Sequence, residues 1–148
     1  MVESLDEFVG KLQKQIYEDA KEILGDAGYQ RWLNPMYMGT IEDPDGYACV
    51  HGKCGDTMEI YLKFGNERVT RASYRTDGCM SSNVCGSFAS ELAFGKTPDE
   101  LLEVTGETIL DKLNNISAED QHCAFLAAET LQEALNDYMV KCTKKRSV

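Results

Sequence analysis

Met58-Glu59-Ile60-Tyr61-Leu62-Lys63-Phe64 alternates apolar and charged or hydroxylated side chains, and Gly65-Asn66 separates it from a second strand-like run, Val69 to Thr76. A period of two marks a strand with one buried face, and a Gly-Asn pair between two such runs is a hairpin signal. Working outward, Tyr47 to Val50 supplies a further strand, joined to the first by the loop His51-Gly52-Lys53-Cys54-Gly55-Asp56. A second loop, Thr76-Asp77-Gly78, ends the hairpin and delivers Cys79 to the start of a helix with Val84, Phe88, Leu92 and Ala93 as its apolar positions.

The flanks read as helices. Ser4 with Glu7 forms a capping-box pattern ahead of Leu5, Phe8, Val9, Leu12, Ile16, Ala20, Ile23 and Leu24 at helical spacing. The spacing predicts one amphipathic helix over 5–24, stopped by Gly25 and Gly28, with its apolar face packed on the body or serving as a docking or dimerisation surface. Asn34-Pro35 then opens an irregular segment that runs to the turn Asp43-Pro44-Asp45-Gly46. Thr97-Pro98-Asp99-Glu100 starts a short helix, 106–113 reads as another, and Ser117 with Asp120 caps a long final helix holding His122 and Cys123 in its early turns. The expected fold is α+β: a small antiparallel three-stranded sheet packed against several helices, with an extra N-terminal helix.

Length and charge narrow the function. A chain of 148 residues matches one globular domain with an ordinary core. Its net charge of -10 speaks against nucleic acid, whose phosphates require a cationic face. The one basic stretch, Lys141 to Arg146, reads as four cations after a helix C-terminus. The opening Met1 to Glu7 lacks the basic start and apolar run of a signal peptide, and no stretch approaches a membrane span. A cytoplasmic, reducing location is expected, where six cysteines serve as thiols or ligands rather than disulfides.

Three of those cysteines lie beside other donors or a flexible glycine: Cys54 before Gly55-Asp56, Cys79 after Asp77-Gly78, and Cys123 after His122. Sulfur, oxygen and nitrogen together form the donor palette of a zinc or iron–sulfur site. Lys53 beside Cys54, and helix starts at Cys79 and Cys123, are expected to favour the thiolates. Whether the three converge is left open by local spacing, since no Cys-x-x-Cys pair is present. Cys49 and Cys85 read as core residues, Cys142 as an exposed thiol of the tail, and His51 as a solvated loop residue. A thiol hydrolase built on His122 and Cys123 is disfavoured, because adjacent helical residues diverge by about 100 degrees.

In this order the motifs resemble the NifU/IscU family of iron–sulfur cluster assembly scaffolds. The similarity runs from about Trp32 to Tyr138 and rests on Gly39 to Gly46, Cys54-Gly55-Asp56, Asp77-Gly78-Cys79, Glu91-Leu92 with Gly95-Lys96-Thr97, and His122-Cys123 with Leu126-Ala127. It implies a scaffold domain over 25–148 behind a helical extension at 1–24. It further implies Cys54, Cys79 and Cys123 as sulfur ligands or acceptors, Asp56 as the carboxylate that keeps a cluster labile, and His122 as an alternative ligand. The implied role is not enzymatic. A cysteine desulfurase would supply sulfur, iron would bind, and a transient 2Fe-2S cluster would pass to apo iron–sulfur proteins, with a homodimer among the expected assemblies.

A zinc-dependent persulfide relay that stimulates a desulfurase is the alternative, and a structural zinc domain is a third reading. The chain departs from the family in three places. Ile116 to Gln121 lacks the two prolines of the family's Hsp70-type chaperone docking motif, so that partnership is not expected. Met80 follows Cys79 where glycine is common, and Arg31 stands where many members have histidine.

Overall fold

The computed structural model describes residues 3–53, 55–114 and 116–146. The elements run α1 (Leu5–Leu33), β1 (Gly46–His51), β2 (Thr57–Gly65), β3 (Arg68–Thr76), α2 (Met80–Ala93), α3 (Pro98–Leu101), α4 (Gly106–Leu113), a 3-10 turn (Ala118–Asp120) and α5 (His122–Arg146). The three strands form one antiparallel sheet in the order β1-β2-β3, so the expected α+β architecture is the observed one.

Register explains the alternation in β2. Ala48, Ile60 and Tyr74 lie opposite one another across the sheet, and Met58, Ile60 and Leu62 are fully buried on the inner face. α5 covers that face over β1 and β2, and α2 covers it over β3. Cys49, opposite Glu59, falls on the other face and is exposed, which corrects its assignment to the core. Strand composition could not tell one face from the other; register does. Cys85, on α2, is fully buried as expected. The hairpin turn is centred one residue later than the Gly-Asn pair, on Asn66 (φ 53°) and Glu67 (φ 64°), the paired left-handed conformation that matches strand twist.

The N-terminal helix departs from expectation in two ways. It does not end at 24: Gly25 takes φ 73° and ψ 176°, and helix resumes to Leu33. The break folds the chain back on itself. Tyr17 and Trp32, which a straight helix would hold about 22 Å apart at 1.5 Å per residue, meet with ring centroids 5.9 Å apart. Only glycine adopts that backbone angle without a Cβ penalty.

Nor does the apolar face pack on the body. Every residue from Leu5 to Asp19 is exposed, Leu5 at 75% and Ile16 at 53%, and burial begins at Ala20 and Leu24. Helical periodicity reports that a stripe exists, and the sharp turn at Gly25 carries its first half away from the core.

At the other end, Ser117 accepts no capping bond, and a 3-10 turn intervenes before α5. α5 continues through the basic stretch, so Lys144, Lys145 and Arg146 form its last turn, where the helix dipole favours them. Cys142 accordingly lies on a helix and is partly covered rather than free in a tail.

Arg31 clamps the second half of α1 to α2. Its guanidinium bonds Glu91 at 2.7 Å and Ser87 Oγ at 2.9 Å and lies 4.1 Å from the centre of the Phe88 ring. Only 10% of its side chain is exposed. Removing the cation strands Glu91 and uncovers Phe88, so Arg31→Ala lowers unfolding free energy by about 2 kcal/mol. Urea denaturation followed by circular dichroism checks this value.

Candidate metal centre

Two loops and two helix starts meet at one end of the sheet. The loops are stitched together by backbone and side-chain bonds: Thr57 N–H donates to Asp77 Oδ1 at 2.7 Å, Thr76 Oγ1 to the Thr57 carbonyl at 2.6 Å, and Gly78 N–H to Thr76 Oγ1 at 3.0 Å. Gly52 N–H to the Asp56 carbonyl, at 2.7 Å, closes the first loop. Gly78 must lack a side chain, because a Cβ there would lie 2.7 Å from both the Asp56 carboxyl and Ser82 Oγ.

Cys79 is the N-cap of α2, and its thiol makes no capping bond, which leaves the exposed sulfur free. Cys123 is the second residue of α5 and fully buried. One ligand atom each from Asp56, Cys79 and Cys123 falls within 4.8 Å of the other two. That spacing lets three donors share one ion. Cys54 lies outside the described residues. His51 is exposed at the end of β1, bonded to Thr57 Oγ1, and takes no part.

His122 touches one member of the group: its Nε2 lies 3.6 Å from Cys123 Sγ, while Nδ1 lies 2.9 Å from the Glu119 carbonyl. A carbonyl can only accept, so Nδ1 carries a proton, and in the neutral tautomer this leaves a lone pair at Nε2. This outer contact fixes the tautomer as it does for metal-ligating histidines. The expectation that adjacent helical residues diverge too far to share a proton is thereby corrected. His122 is the first residue of α5, and the bond to Glu119 in the 3-10 turn holds the ring over Cys123.

The expected thiolate-favouring field fails at Cys123. Burial pushes its thiol up to about 12; the Ser82 hydrogen bond lowers it, while Cys79, Asp120 and Asp56 add to the rise. A helix terminus contributes about 0.3–1 kcal/mol, less than one pKa unit, whereas desolvation can shift a buried group by about 3–5 units. Desolvation wins. Cys85 is raised well above its ordinary value, again chiefly by burial. In the metal-free protein Cys123 is therefore a protonated thiol, and an incoming ion must displace its proton.

Ser82 is the residue that sequence reading missed. Its hydroxyl donates to Asp56 Oδ2 at 2.7 Å and lies 3.4 Å from Cys123 Sγ. Its signal is its position three residues after Cys79, one helical turn along and on the same face.

The NifU-like N-terminal domain family model matches residues 25–145. Archaeoglobus fulgidus iron-sulfur cluster assembly scaffold protein IscU 1 is 36% identical over 117 residues, covering 78% of this chain and 76% of the relative. Aquifex aeolicus IscU, also named a scaffold, is 32% identical over 113 residues, covering 74% and 72%. Among solved structures, a NifU-like N-terminal protein from Brucella abortus aligns with TM-score 0.66 at 19% identity, over 82% of this chain and 97% of that one, a likeness of fold.

The raised thiol carries a pH signature. Unfolded Cys123 ionises near 9 and the folded residue near 12, so the stability it contributes is complete below the lower value and is lost as pH climbs through that window. Urea midpoints of the metal-free protein fall between about pH 8 and about pH 10.5, and the fall is smaller in Cys123→Ala.

Proposed function

The chain belongs to the NifU-like N-terminal domain family, and from that membership we propose that it is a scaffold for iron–sulfur cluster assembly with Asp56, Cys79 and Cys123 as its ligands. The observation that carries this reading is the convergence of those three donors within 4.8 Å. Cys54, two residues before Asp56, adds a further thiolate, and His122 stands as the alternative ligand beside Cys123. The cargo is a 2Fe-2S cluster, supplied with sulfur by a cysteine desulfurase and handed to apo iron–sulfur proteins in a reducing compartment such as the cytoplasm. The chain acts as assembly platform and carrier rather than as an enzyme.

Each residue has a separable task. Cys79 is the exposed thiol of the group and the entry point for sulfur: its thiolate attacks the terminal sulfur of the desulfurase persulfide, the new S–S bond forms on Cys79, and the desulfurase thiolate leaves. Cys123 is held dry, and His122 Nε2, at 3.6 Å, accepts the proton that iron displaces. Asp56 supplies an oxygen donor where a thiolate would bind an iron–sulfur unit more tightly, which keeps the cargo releasable.

Similarity to relatives named as scaffolds favours this over a zinc relay. Bound zinc alone would not separate the two, because thiolate sites take up zinc readily. Wild type incubated anaerobically with ferrous iron, cysteine, a desulfurase and excess dithiothreitol, whose oxidation to its disulfide supplies the two electrons that turn each persulfide sulfur into sulfide, gains about two irons and two acid-labile sulfides per chain or per dimer, and Cys79→Ala gains none. Retained zinc without sulfide, together with faster desulfurase turnover, would instead establish the relay. Asp56→Cys, which replaces the oxygen donor by a thiolate, passes its cluster to an apo-ferredoxin about tenfold more slowly, a barrier higher by about 1.4 kcal/mol.

A homodimer uses the exposed face of α1. Leu5, Val9, Leu12 and Ile16 follow the four-three-four spacing of a coiled-coil seam, with β-branched residues alternating with leucine as in two-stranded coils. Sedimentation equilibrium finds a dimer that Leu12→Lys converts to monomer, with the thermal unfolding of the body unchanged.

A further inference from the structure

Two of the buried hydroxyls on this protein's helices turn back on their own backbone, and a third, Ser87, donates to the Met36 carbonyl at 2.7 Å. Ser90 Oγ donates to the Gly86 carbonyl at 2.9 Å and Thr130 Oγ1 to the Leu126 carbonyl at 2.7 Å, each one turn back on its own helix. Ser82 does otherwise. It is fully buried in the first turn of α2, yet its hydroxyl reaches across to Asp56 on one loop and to Cys123 on α5. The cradle leaves no slack, since the Gly78 position is filled to contact by the Asp56 carboxyl and Ser82 Oγ together.

Resting on the scaffold reading, we propose that Ser82 is a positioning residue of the metal centre: its hydroxyl, bonded to Asp56, tempers the donor strength of that carboxylate, so that the site lets its cargo go more readily than the same ligands would alone. A hydroxyl has one proton to give, and the carboxylate, closer and anionic, takes it in a charge-assisted bond. That bond withdraws electron density from Asp56 Oδ2 and occupies one of its lone pairs, both at the expense of a metal. The sign is opposite to that of the usual outer contact, in which a ligating histidine donates outward and becomes a stronger base.

The test titrates metal-free protein with Co²⁺, read by its thiolate charge-transfer and ligand-field bands, in wild type, Ser82→Ala, Ser82→Thr, Asp56→Ala and the Asp56→Ala/Ser82→Ala double variant. Ser82→Ala binds Co²⁺ about fivefold tighter, the scale of one net hydrogen bond. Ser82→Thr, which keeps the hydroxyl, restores wild-type affinity and spectrum. In the Asp56→Ala background the Ser82→Ala effect shrinks, because the two act through one contact. Ser82→Ala binding equal to or weaker than wild type, or Thr behaving as Ala does, overturns the proposal. Failure of the scaffold reading shows separately, as wild type that binds Co²⁺ but gains no acid-labile sulfide.

Discussion

Everything at the metal centre depends on the burial of Met58, Ile60 and Leu62 beneath two helices. These three side chains, on one face of β2, are wholly removed from water, and each is worth about 1.5–3 kcal/mol by transfer from solvent. Covering them requires α5 across β1 and β2 and α2 across β3. With the helices so placed, the start of α2 and the start of α5 come to the same end of the sheet as the β1–β2 loop. The donors converge because the core demands that the helices lie where they do.

A balance between rigidity and release follows from that placement. Cys123 sits on a helix, buried and hydrogen-bonded, while Cys79 is exposed at a helix cap and Asp56 ends a loop tied down by Gly52. The protein does not give all three donors the same environment. One is dry and protonated when empty, one is open to a large partner, and one is an oxygen whose lone pairs are shared with a serine. A permanent metal site would be expected to close around its ion with strong, uniform donors; a carrier gains from unequal ones.

The two halves of α1 divide their labour at Gly25. Beyond the break, Arg31 anchors to Glu91, Ser87 and Phe88 of α2, and Gly28 approaches Leu24 and Leu113 closely. Before it, more than four turns of helix from Leu5 to Asp19 stand clear of the body. An isolated helix of about that length is marginal in water, and a partner along the apolar stripe would stabilise it.

Local chemistry made much of this legible in advance. The alternation of Met58 to Phe64 announced the sheet, Thr97-Pro98 and the span 106–113 announced α3 and α4 at their observed places, and the pairing of Cys79 with a helix start was visible in Asp77-Gly78-Cys79. These are short-range facts, set by propensity, period and capping, and they need no knowledge of distant residues. What only the tertiary structure decided was which face was covered and how deeply. Cys49 lies outward because of strand register, the stripe of α1 is bare because Gly25 turns it away, and Cys123 is a protonated thiol because its helix start is buried. Ser82 acquired its place between Asp56 and Cys123 in the same way. Burial is a property of the assembled layers, and desolvation, the largest force on a charge inside them, leaves no mark on the sequence around the residue that feels it.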